Sequence, residues 1–66
     1  MNIKINGKEE TVSGIKTILE LINDKKLIPE HIVVEQNFKI VPKEEWARTV
    51  LNEDDKIEIV SFVGGG

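Results

Sequence analysis

Met1-Asn2-Ile3-Lys4-Ile5-Asn6-Gly7-Lys8-Glu9-Glu10-Thr11-Val12 sets how this chain begins to fold. Ile3 and Ile5 alternate with Asn2, Lys4 and Asn6, the period of a strand buried on one face. Asn6-Gly7 follows, and both residues tolerate positive φ, so the pair is a strong signal for a tight hairpin. Lys8 to Val12 is then the return strand. The chain opens with a β-hairpin.

Outward from the hairpin, Ser13-Gly14 breaks the strand, and Thr17 and Glu20 take the T-x-x-E spacing of a capping box. Ile15, Ile18, Leu19 and Ile22 make an i, i+3, i+4, i+7 stripe, which predicts one helix from Thr17 to Lys25. Pro29 is expected to prevent its continuation. Ile32-Val33-Val34 are consecutive and β-branched and predict a strand over His31–Gln36. Asn37 to Lys39 reads as a turn, Ile40-Val41 as a short strand stopped by Pro42, and Lys43 to Trp46 as one helical turn. Asn52 to Asp55 is a polar turn. Lys56 to Val63 is the last strand, with Ile57 and Ile59 on one face and Glu58, Val60 and Phe62 on the other.

The order β-β-α-β-β-β predicts an α+β fold, a mixed sheet of four to five strands packed on one helix. The first and last strands are expected side by side and parallel, with a right-handed crossover. That is the β-grasp arrangement. Ile3, Ile5, Ile18, Leu19, Ile22, Val33, Leu51, Ile57 and Ile59 are the expected core.

The chain has 66 residues, which predicts a single domain. A domain of about this size buries only roughly 60% of the surface of its unfolded chain, leaving little room for a deep catalytic cleft. No apolar run approaches the ~18–20 residues of a membrane span. The N-terminus shows no secretory pattern, so a cytoplasmic location and no membrane partner are expected. Cysteine is absent, which removes disulfides, thiolate metal sites and a thiol nucleophile. The net charge is −3 and the nine basic residues are scattered, which argues against nucleic acid as a partner.

Conventional active-site patterns are missing. His31, the one histidine, has no second ligand spaced to share a metal. Gly7-Lys8 lacks the glycine loop of a phosphate-binding motif. Asn52-Glu53-Asp54-Asp55 lacks calcium-loop spacing. Ser61 has no visible general base. No residue is assigned as catalytic, no metal is expected, and no cofactor is expected to be bound.

Folding leaves one feature unexplained. Val60-Ser61-Phe62-Val63 runs into Gly64-Gly65-Gly66. Three glycines after a hydrophobic strand add nothing to a core, and as the residues with most freedom to lose they should be mobile in isolation. Residues 1–63 are thus expected to form the domain and 64–66 a flexible tail. One explanation is a linker remnant or frayed end. The other is a slender thread, Gly64 and Gly65, that carries the Gly66 carboxylate into a narrow channel of another protein.

Ile40-Val41-Pro42-Lys43-Glu44-Glu45-Trp46-Ala47-Arg48-Thr49-Val50-Leu51 resembles the I-V-P-[RK]-x-x-W-x-x-T-x-L segment of the ThiS family of ubiquitin-like sulfur carriers in thiamine biosynthesis. Asp55-Lys56-Ile57-Glu58-Ile59-Val60 resembles that family's D-x-[VI]-E-I-V strand, and Asn6-Gly7 and the final glycine pair also match. The resemblance covers the whole chain. Asp54 stands where the family usually has glycine, and Val34-Glu35-Gln36-Asn37 departs from a strand usually followed directly by Asn.

The resemblance implies that a ThiF-like adenylyltransferase uses ATP to adenylate Gly66. A sulfur donor enzyme then converts the terminus to a thiocarboxylate, and a ThiG-like thiazole synthase receives the sulfur. The chain itself would be a carrier and not an enzyme. Val60, Phe62 and Trp46 are candidates for the partner surface. Against this, Val60 and Phe62 could lie under the helix, and Trp46 could be a lid on the core. Other functions left open are a molybdopterin-type carrier, a carrier modifying transfer RNA or proteins, and an interaction module with no activated terminus.

Overall fold

The computed structural model describes residues 1–62. β1 (Asn2–Ile5) and β2 (Lys8–Thr11) form the opening hairpin, followed by α1 (Ile18–Asp24). A 3-10 turn at Pro29–His31 leads into β3 (Ile32–Gln36) and β4 (Lys39–Ile40). A second 3-10 segment, Lys43–Arg48, precedes β5 (Lys56–Ser61). The five strands make one sheet in the order β2-β1-β5-β3-β4. β1 and β5 are parallel, and every other pairing is antiparallel. The chain's two outer strands thus meet at the centre of the sheet, as their alternating patterns predict.

Thr17 caps α1, its Oγ1 accepting from Glu20 N at 3.2 Å. The reciprocal bond of the capping box falls one residue earlier, since Glu20 Oε1 accepts from Lys16 N at 2.6 Å. The helix ends before Pro29 can act. Lys26 takes φ +58, its N–H donates to Asn23 O, and Leu27 N–H donates to Ile22 O. These are the two bonds of a Schellman motif, which satisfies carbonyls left over at a helix end.

Ile18, Leu21 and Ile22 are fully buried against the sheet, and each contributes roughly 1.5–3 kcal/mol of transfer free energy. Ile3, Ile5, Leu51 and Ile57 join them as expected. Leu19 and Ile59 are half-buried and pack on the edge of this cluster. Two expectations are corrected. Val34, paired with Ile59, faces the core, while Val33, paired with Val60, is half-buried on the far face. Leu21, outside the expected stripe, is buried because α1 is covered on two sides. The sheet lies under one side, and the Lys43–Arg48 segment with Trp46 packs on the other.

Asp54 has φ +68, a conformation that glycine adopts freely and that Asp tolerates better than most side chains. The departure from the family's glycine is therefore accommodated by the turn. Asp55 beside it is the one buried charged residue among those described, 6% exposed. Its carboxylate accepts from Gln36 Nε2, Asn37 Nδ2 and Asn52 N at 2.8–3.0 Å, so it ties this turn to the β3–β4 hairpin.

Candidate functional site

The site is the end of β5 and the sheet face that leads to it. β5 alternates. Ile57 is fully buried and Ile59 half-buried toward α1, while Lys56, Glu58, Val60 and Phe62 point away from the helix. Val60 is 53% exposed and Phe62 57%, so the helix does not cover them. Cross-strand partners share a face. Val33 therefore lies beside Val60, and Ile40, paired with Glu35, lies on the same side at 65% exposure. Phe38 projects from the β3–β4 turn at 78% exposure, and Lys56 Nζ sits 5.6 Å from its ring centroid. Val33, Ile40, Phe38 and Val60 thus share the open face of the sheet with Lys56, Glu58 and the half-buried Glu35. Several exposed apolar side chains on one face make it a candidate contact surface.

Trp46 is placed elsewhere. It is 2% exposed, and its Nε1–H donates to Val41 O at 2.9 Å. A buried indole needs such an acceptor, and here the backbone supplies it. Of its two readings, lid and partner contact, the structure gives the lid. Sequence reasoning missed Phe38 and Ile40 as companions of Val60 and Phe62. Period-two alternation would have found Ile40 once β4 was paired with β3, but the two-residue turn hides Phe38 from any periodicity.

The far end of β5 is held on both sides. Phe62 N–H donates to His31 O at 3.0 Å on the β3 side. On the β1 side Asn6 makes three bonds: its N–H donates to Ile57 O at 2.9 Å, its Oδ1 accepts from Ile59 N at 2.7 Å, and its Nδ2 donates to Ile59 O at 3.2 Å. Next to His31, the Glu30 carboxyl sits below the ordinary carboxylate range because of a backbone hydrogen bond and then Lys43, which approaches to 3.3 Å. Among the described residues no group of three His, Cys, Asp or Glu could hold a metal. No helix there is long and apolar enough to cross a membrane. Gly64, Gly65 and Gly66, and the expectation of a flexible tail, lie outside the described residues.

The model of the ThiS family matches residues 3–66. The chain belongs to the ThiS family. The sulfur carrier protein ThiS of Bacillus subtilis is 37% identical over 65 residues, covering 97% of this chain and 98% of that protein. The crystal structure of a thiamine biosynthesis protein, ThiS, from Geobacter metallireducens superposes with a TM-score of 0.84 at 33% identity, covering all of both chains. Thiazole synthase of Paramagnetospirillum magneticum is 39% identical over 66 residues. That match takes in the whole of this chain and only a fifth of the synthase's length. The ThiS structure confirms the ubiquitin-like β-grasp expected from the order of elements.

Proposed function

We propose that the chain carries sulfur for thiamine thiazole synthesis as a thiocarboxylate on Gly66. The observation that carries this reading is the exposure of Val60 and Phe62 immediately before the glycine run in the sequence. Val60 and Phe62, on the last strand, are exposed on the face away from the helix and lead directly into Val63-Gly64-Gly65-Gly66. The family membership and the likeness to a thiazole synthase support the acceptor.

A carboxylate is a poor electrophile, since its leaving group would be oxide. A Gly66 carboxylate oxygen attacks the α-phosphorus of ATP in the active site of a ThiF-like adenylyltransferase, and pyrophosphate leaves. Hydrosulfide supplied by the donor enzyme then attacks the acyl carbon, AMP leaves, and loss of the S–H proton gives the thiocarboxylate. The thiocarboxylate is ionised at neutral pH and nucleophilic, as thiolates are. A ThiG-like thiazole synthase consumes it. The carrier supplies no catalytic group. Gly64 and Gly65 keep the thread narrow, while Val60, Phe62 and their neighbours dock the domain.

Incubation with ATP, the cognate adenylyltransferase and sulfide tests this. The intact mass should rise by the difference between sulfur and oxygen, mapped to Gly66. One alanine appended after Gly66 should abolish loading, and Gly65→Val should suppress it, because a β-branched side chain widens the thread. Both variants should melt within about 0.5 kcal/mol of the parent. Undiminished loading of the extended chain, or a mass shift on a lysine, would favour an interaction module instead.

A further inference from the structure

β5 outruns its parallel neighbour. β1 pairs with β5 only at Lys4↔Lys56 and Ile5↔Ile57, because the chain turns away at Asn6-Gly7. β5 continues to Ser61. Phe62 N–H donates to His31 O and Asn37 N–H to Lys56 O. By that alternation, residues 56, 58, 60 and 62 bond toward β3 and residues 57, 59 and 61 turn their amides to the β1 side. Without a further neighbour, Ile59 would face that side unpaired.

The Asn6 side chain supplies the neighbour. A carboxamide has the donor and acceptor of a peptide group. Here Oδ1 accepts from Ile59 N at 2.7 Å and Nδ2 donates to Ile59 O at 3.2 Å. The identity of the two atoms follows from the partners, since an N–H needs the oxygen and a carbonyl needs the NH2. Asn6 also tolerates the φ of +52 that the turn demands. Gly lacks the side chain, and Asp would set a charged oxygen against the Ile59 carbonyl. Ser61, which lines the same groove as Asn6 and Ile59, is the next residue turned to this side, and β1 offers it nothing.

We propose that Asn6 is a positioning residue for loading, standing in for the strand neighbour at Ile59 and so setting where the held strand ends and the threaded tail begins. This rests on the carrier function proposed above. With Ile59 held on the β1 side and Phe62 on the β3 side, β5 is fixed through Phe62 before the partner binds. With Ile59 released, this stretch of β5 is held by β3 alone, and the partner must steady its free β1-side edge, a cost that falls on binding. The chemistry at Gly66 is set by the enzyme once the tail is seated.

The test uses the full chain with Asn6→Gly, which keeps the turn's positive φ, and Asn6→Asp, which keeps the acceptor for Ile59 N. The probe is the cognate adenylyltransferase with ATP and sulfide. In Asn6→Gly the Ile59 amide should exchange with deuterium at least about tenfold faster, as local opening at a freed edge allows, while Val60, bonded to β3, keeps its rate. KM for the carrier should rise about fivefold at unchanged kcat, the ordering cost of a few freed rotors. Asn6→Asp should fall between the parent and the glycine variant. Faster Ile59 exchange with an unchanged KM would make the clamp merely structural and overturn the proposal, as would unchanged exchange. A fall in kcat at constant KM would also overturn it. A parent chain that is never loaded would instead sink the carrier function itself.

Discussion

The two hairpins share a plan and differ in one residue. Both are two-residue turns with positive φ at each position: Asn6 +52 and Gly7 +83 in the first, Asn37 +53 and Phe38 +72 in the second. In both, the leading Asn side chain reaches to β5. Asn6 holds Ile59 near its end, and Asn37 Oδ1 accepts from Lys56 N at 3.0 Å at its start. The last strand is thus bracketed by two carboxamides. The second positions part company. Gly7 adopts its conformation without strain, whereas a left-handed conformation costs an L-residue roughly 1–2 kcal/mol. Phe38 carries that cost with its ring 78% exposed and Lys56 over it, on the same face as Val60 and Ile40. Phe38 thus strains the fold while burying little in it, which suits the partner surface proposed above. One hairpin is tuned for folding and the other gives up stability for surface.

The largest expected effect separates what the two Asn residues lean on. Asn37 is backed by buried Asp55, and Asn6 by no comparable group among those described. Asp55→Ala removes the shared acceptor of Gln36 Nε2, Asn37 Nδ2 and Asn52 N, and should cost about 3 kcal/mol in urea denaturation, three partly buried hydrogen bonds at about 1 kcal/mol each. A loss below about 1 kcal/mol would mean that water replaces the carboxylate and that the two ends of β5 are held alike.

Next comes the direct contrast between the carboxamides. Asn37→Gly should destabilise by about 2 kcal/mol and Asn6→Gly by about 1, because the first leaves a buried carboxylate short of a donor while the second frees groups that water can reach. Equal melting shifts would erase the distinction.

Third, Gly7→Ala should cost about 1–2 kcal/mol from backbone strain alone, since a Cβ there would meet nothing within 4 Å. A neutral substitution would show that the turn shifts to another type.

The smallest effect has the opposite sign. Phe38→Gly should stabilise the domain by about 0.5–1 kcal/mol, relieved strain less the lost cation–π contact. The same variant should weaken loading by the adenylyltransferase, measured as a raised KM. A more stable variant that loads normally would remove Phe38 from the contact surface.

Much of this was legible along the chain. Two alternating termini around one capped helix gave the element order and the parallel central pair. The Ile57/Ile59 and Val60/Phe62 alternation gave the two faces of β5. The misreadings came where periodicity lacks a phase. Ile32-Val33-Val34 is apolar throughout, so nothing local says which valine turns inward; the pairing of Val34 with Ile59 does. Leu21 falls outside a stripe drawn for a helix covered on one side, and Trp46 supplies the second cover. The helix ends at Lys25 as its pattern predicts, but the device that stops it is Lys26 at φ +58, a conformation that a lysine does not announce.

The sequence by itself determined the elements, the turn at Asn6-Gly7, the absence of thiol chemistry and the glycine run from Gly64 to Gly66, because these depend on residue type and spacing over a few positions. Only the tertiary structure decided that Asn6 and Asn37 clamp opposite ends of β5, that Asp55 is a buried tie, and that Phe38 joins Val60 and Ile40 on one open face. Each of those facts joins residues far apart along the chain, and hydrogen-bond partners at such separations exist only once the sheet has fixed its register.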